Sequence, residues 1–119
     1  MFEYWMDSDL KKLPAVKRLG NVFSADSGAN LIGVRVFDDG EEVTLNGTVS
    51  ANVIRADGET ITVSGSKNGN TAYVVLPQDA YEVKGLLKVV IKITNGSTVT
   101  GLGAVEGYVY QTMTSEVVS

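Results

Sequence analysis

Histidine and cysteine are both absent from the 119 residues. Without cysteine there are no disulfides and no thiolate metal sites, and the chain is compatible with assembly in a reducing cytoplasm. Without histidine the usual general base near neutral pH and the commonest metal ligand are missing. A Ser-His-Asp or Cys-His arrangement therefore cannot be built, and zinc would have to be held by carboxylates alone. Carboxylate pairs are the one catalytic device left, and the acids here sit mainly beside turn signals. The expectation is a protein that is not an enzyme and carries no cofactor and no metal. No apolar run approaches the ~20 residues of a membrane helix, and Glu3, Asp7 and Asp9 interrupt any secretory signal. No membrane association is expected. A net charge of −4 disfavours nucleic acid as a partner.

The charges that are present are unevenly placed. Lys11, Lys12, Lys17 and Arg18 are four of the ten bases, and residues 19–119 hold six bases against eleven acids. This cluster reads either as a solvated segment or as a basic arm for an acidic neighbour. Phe2, Tyr4 and Trp5 are three of the nine aromatics and fall in the first five residues. They either fold back on the protein's own core or dock on another chain, and docking is expected. The first thirty residues lack hairpin signals. Asp7 or Ser8 is placed to cap a short helix near 7–13 that ends before Pro14. Residues 1–30 are read as an arm, 31–112 as a domain and 113–119 as a tail. A chain starting near Ser24 is expected to stay β-rich but fail to assemble.

From residue 38 onward turn chemistry dominates. Asp39-Gly40, Asn46-Gly47, Asp57-Gly58, Asn68-Gly69 and Asn95-Gly96 are five Asx-Gly pairs. Such pairs suit type I′ hairpin loops, which need positive φ at both central residues. Between them run short stretches rich in Val, Ile and Thr. In "LLKVVIKIT" Leu87, Val89, Ile91 and Ile93 share one face, and Val49, Ala51 and Val53 do so earlier. Ile61 with Val63, and Ala72, Val74 and Leu76, form further inward sets. Strands are expected near 31–37, 42–45, 48–56, 59–65, 71–76, 86–94 and 98–110. That pattern predicts an all-β, immunoglobulin-like antiparallel two-sheet sandwich with an extended N-terminal arm.

Two stretches invite a sharper reading. In "NVIRADGETITV" the close charges Arg55, Asp57 and Glu59 are read as the rim of a hairpin turn, with Arg55 facing Glu59 across the ladder. Asp38, Asp39, Glu41 and Glu42 are likewise read as a turn rim, with a calcium site the lesser alternative because their spacing does not match an EF-hand loop. In "TVTGLGAVEGYVYQT" Gly101, Gly103 and Gly107 fall on one face by strict alternation. That face marks either a bulged edge strand or tight packing against a neighbouring subunit.

The order of features from Val16 onward resembles the N-terminal immunoglobulin-like domain of phage baseplate upper proteins, and related head-fibre or decoration proteins of tailed phages. The resemblance rests on "LNGTV" leading into a strand that ends in "IRADG", then on a "LPQDAYEVKG" connector into the strand at 86–94, and spans roughly residues 16 to 112. It implies a virion structural protein made in the host bacterial cytoplasm, partnered by other virion proteins, usually a homo-oligomer and often a trimer. It carries over no catalytic residue. The chain ends at Ser119 without a fibre region, so a capsid decoration, head-fibre or baseplate/tail connector is expected. The alternative is a carbohydrate- or cell-surface-binding module using Tyr73, Tyr81, Tyr108, Tyr110 or Phe37. The expected assembly residues are Phe2, Tyr4, Trp5, Lys11, Lys12, Lys17, Arg18, Gly101, Gly103 and Gly107.

Overall fold

The computed structural model describes residues 2–12, 15–18 and 30–109. The expected tail at 113–119, most of the segment 20–30, Pro14 and Tyr110 lie outside the described residues, as do the side chains of Phe2 and Arg18. Ten strands follow in order: β1 (Phe2–Asp9), β2 (Ala15–Arg18), β3 (Asn30–Asp38), β4 (Glu41–Glu42), β5 (Thr48–Ile54), β6 (Thr60–Ser64), β7 (Ser66–Asn68), β8 (Thr71–Val75), β9 (Gly85–Asn95) and β10 (Thr98–Val109). A 3-10 turn, Gln78–Tyr81, lies between β8 and β9.

The strands form a sandwich of two mixed sheets. The first runs β1-β3-β8-β7, with β4 folded back on β3. The second runs β2-β10-β9-β5-β6. Six of the seven expected strands are present within two residues of their expected ends, because alternation and turn chemistry agree from Asn30 onward, whereas of the strand expected at 42–45 only Glu42 is in a strand, the two-residue β4.

The N-terminal segment departs from the expectation. Residues 2–9 are not an arm but strand β1, parallel to β3 from Phe2 opposite Asn30 to Asp9 opposite Phe37. Residues 15–18 form β2, parallel to β10 from Ala15 opposite Gly103 to Arg18 opposite Glu106. The short helix expected near 7–13 is replaced by the end of β1 and a turn at 10–12, where the Lys12 N–H donates to the Asp9 carbonyl at 2.9 Å. The physical reason is pairing. An exposed helix of two turns is marginal, whereas β1 satisfies its backbone along the whole edge of β3.

The inward faces are the expected ones. Ile32, Val34 and Val36 of β3, Ala51 and Val53 of β5, and Val89 and Ile91 of β9 are fully buried. Ile61 and Val63 are half-buried against the same core, and Met6 and Tyr4 join it from β1. One end of the core holds a polar pair. The Asn30 amide donates to the Tyr81 hydroxyl at 2.6 Å, and the Leu76 N–H donates to the Asn30 carbonyl. Burial raises the Tyr81 phenol above its ordinary value, with Asn30 opposing.

The turns are less uniform than the five pairs implied. Only Asp39-Gly40 has both residues at positive φ, 54° and 86°. In Asn68-Gly69 and Asn95-Gly96 the asparagine is the last strand residue, and the glycine alone adopts positive φ. Asn46-Gly47 is no hairpin, because it carries the chain from β4 in one sheet to β5 in the other. There Gly47 lies against the Thr94 carbonyl where a side chain would collide with backbone.

Candidate assembly surfaces

β1 is fastened to the sandwich by its own side chains. The Trp5 indole lies across Gly33 of β3, in the space where a Cβ would stand. The indole N–H donates to Glu3 Oε1 at 3.0 Å, and the Arg35 guanidinium sits 5.5 Å from the ring centroid. Arg35 Nε also donates to Asp7 Oδ1 at 2.9 Å. Further along, Asp9 accepts three backbone hydrogen bonds, from Lys11 and Asp39 at 2.9 Å and from Gly40 at 2.8 Å. It thereby caps the β3–β4 hairpin from the next strand. Trp5 is the sole tryptophan. Replacing Gly33 with Ala is therefore expected to displace the ring and shift its fluorescence emission, with a lowered unfolding midpoint. An unchanged spectrum would contradict the contact.

The basic cluster divides. Lys17 Nζ donates to the Trp5 carbonyl at 2.9 Å, tying β2 to β1 across the two sheets. Lys11 approaches Asp38 at 3.8 Å, with both side chains well exposed, and such a pair contributes at most ~1 kcal/mol. Lys12 is exposed. Of the expected docking residues, Tyr4, Trp5, Lys11 and Lys17 thus make contacts within the protein's own domain.

The glycine face is also redistributed. β10 carries a bulge between Gly101 and Gly103 that adds Leu102 to the strand. The phase flips there. Gly101 pairs with outward Lys92 and is exposed, whereas Gly103 and Gly107 oppose Ile91 and Leu87 on the inner face and are buried. Leu102 enters the core. Gly103 and Gly107 therefore pack within the sandwich and offer no outer surface. The bulged-strand reading applies, with β2 covering β10 from Gly103 to Glu106.

The charges at 55–59 form a turn rim with a different partner. The Arg55 N–H donates to the Glu59 carbonyl, as the hairpin requires. Its guanidinium turns instead to Asp57 at 3.0 Å and to Glu82 at 3.1 Å, and donates to the Asp79 carbonyl at 3.2 Å. The connector before β9 is thus pinned to the β5–β6 turn. Asp57 lies below its ordinary value of 3.8, first because the Glu59 N–H donates to it and then because of Arg55. Asp9 is lowered in the same way, first by the Lys11 N–H and then by Asp39. A lowered carboxylate contributes stability that is complete above its unfolded value and is lost as pH falls through the folded one. The unfolding midpoint is therefore expected to drop below about pH 4. In an Asp9→Asn, Asp57→Asn double variant that slope should flatten, and equal slopes would contradict the assignment. Replacing Glu59 with Gln should change stability by under ~0.5 kcal/mol.

Of the aromatics expected for a glycan site, the described tyrosines Tyr73, Tyr81 and Tyr108 do not converge. Tyr81 is buried in the core. Tyr73 faces outward opposite Gly33 on the first sheet, and Tyr108 is exposed on the second. At one end of the sandwich Leu10, Val43, Leu45, Ile93 and Leu102 help line an open groove of about 350 Å³. Among the described residues no three acids converge as a metal site, and no helix is long and apolar enough to cross a membrane.

Among the described residues the four lateral edges of the sandwich are β1 and β7 in the first sheet, and β2 and β6 in the second. Local turn chemistry and alternation carry no sign of β1, β2 or β7. No family model and no curated protein matches the chain. Among solved structures the chain is similar to the N-terminal domain of phage TP901-1 ORF48, at 10% identity and a TM-score of 0.56. The match covers 90% of this chain and 97% of that one.

Proposed function

We propose that this chain is a structural module of a tailed-phage virion, working in the baseplate or tail and joining other virion proteins through its strand edges. The observation that carries the reading is the coverage of the structural likeness. A phage protein's N-terminal domain matches nearly end to end with this chain. The features of the family resemblance, the "IRADG" turn and the "LPQDAYEVKG" connector, support it independently. Arg55 locks those two features together through Asp57, Asp79 and Glu82. Lack of histidine and cysteine fits a role without chemistry. The module acts in the particle rather than as an enzyme, and needs no cofactor. Mass spectrometry of purified particles and of isolated tails from the encoding phage tests the proposal. The chain is expected in both, at a fixed ratio to the tail proteins.

A further inference from the structure

Strand edges are hazards that proteins manage with charge, shortness or cover. Three of the four lateral edges here are managed. β1 carries Glu3, Asp7 and Asp9, β2 has four residues including Lys17 and Arg18, and β7 has three with Lys67 at its centre. β6 differs. It reads Thr60-Ile61-Thr62-Val63-Ser64, with no charge, no proline and no glycine. Among the described residues nothing pairs with its outer side. Ile61 and Val63 face the core yet stay only half-buried.

The hydrogen bonds at the two ends of β6 define which backbone groups lie on the free side. The Arg55 N–H donates to the Glu59 carbonyl, and the Gly65 N–H donates to the Val49 carbonyl. Residues 59 and 65 therefore point toward β5. By alternation Ile61 and Val63 do so too, and Thr60, Thr62 and Ser64 turn their N–H and C=O groups outward. In an antiparallel pair of two β6 strands centred on Thr62, Thr60 meets Ser64 of the other copy and Thr62 meets itself. All three are hydrogen-bonded positions, so every outward group finds a partner. Ile61 then lies beside Val63 on the core side, and the hydroxyl residues share the outer side. No charge is buried.

We infer that β6 is a self-pairing edge, joining two copies of this chain antiparallel about a two-fold axis at Thr62. The contact is isologous, so it makes pairs of copies in place of the trimer that the resemblance implied. One five-residue edge falls below the ~1,200 Å² of a stable interface. The pair is therefore weak in dilute solution and is favoured where an assembly holds copies close together. The inference stands independently of the virion reading.

Cysteine chemistry tests it, since the full chain has no cysteine of its own. Directly opposed residues at a hydrogen-bonded position have Cα atoms about 5.5 Å apart, within the disulfide range. Under mild oxidation Thr62→Cys is expected to form a disulfide dimer. Thr60→Cys should not, because its two copies lie four residues apart, about 13 Å at strand spacing. A Thr60→Cys, Ser64→Cys double variant should cross-link again. The parent chain is expected to dimerise in sedimentation runs at high concentration, and Thr62→Lys, which places two ammonium groups opposite each other, should abolish that dimer. The side chains of Thr60, Thr62 and Ser64 all point outward, and far-UV circular dichroism verifies each fold. If Thr62→Cys cross-links no better than Thr60→Cys, or Thr62→Lys associates like the parent, the proposal is wrong.

Discussion

A chain beginning at Leu19 is expected to lose its cooperative fold. Deleting residues 1–18 removes β1 and β2, one edge strand from each sheet. β1 pairs with β3 along eight positions. It also supplies Met6 to the core, Tyr4 against it, and Asp9 as the cap of the β3–β4 hairpin. A buried side chain of Met6's size is worth roughly 1.5–3 kcal/mol. Each backbone hydrogen bond adds a net ~0.5–1.5 kcal/mol. Several of these together rival the ~5–15 kcal/mol by which a domain is stable at all. The deletion also bares the edge of β3, whose Ile32, Val34 and Val36 line the core, and so invites aggregation. Thermal unfolding of the shortened chain by circular dichroism should show no sharp transition. A soluble, β-rich and cooperatively unfolding product would restore the separable arm that the composition of residues 1–30 implied.

Two neighbouring leucines should differ sharply. Leu87 is 1% exposed and Leu86 is 44% exposed, although they are adjacent and chemically identical. Leu87 faces the core from the centre of the second sheet, while Leu86 faces outward opposite Tyr108. Replacing Leu87 with Ala removes buried methyl groups and leaves a cavity, which costs ~2–5 kcal/mol. Replacing Leu86 with Ala should cost under ~1 kcal/mol, the scale of one exposed cross-strand contact. Chemical denaturation of both variants measures the difference. Equal losses would mean that β9 is out of register by one residue, since such a slip exchanges its two faces.

Most of this architecture was legible in the chain because its hairpins announce themselves. From Asn30 onward local turn chemistry and period-two alternation point to the same strands. The N-terminal strands escaped for a physical reason. A parallel pair has no tight turn between its members, and β1 and β3 are separated by residues 10–29. Alternation in β1 is also broken, since Tyr4, Trp5 and Met6 are apolar in succession. Trp5 is outward and still sheltered because Gly33 opposite it has no side chain. That match joins residues 28 apart and leaves no local trace. The glycine face was misplaced for a similar reason, because a bulge at Leu102 inverts the phase of every later residue in β10. Arg55 was correctly assigned to a turn, but its partner Glu82 stands 27 residues away. The uncharged run Thr60–Ser64 was visible all along. Its meaning depends on its lying at an edge, and only the topology places it there.

The proposed virion role is tested most directly by the particle itself. Purified particles of the encoding phage would be separated into heads and tails, and each fraction probed by quantitative mass spectrometry. The account predicts this chain in the tail fraction, at a fixed and stoichiometric ratio to the tail proteins. Absence of the chain from intact particles, with the protein present in the infected cell, would contradict it.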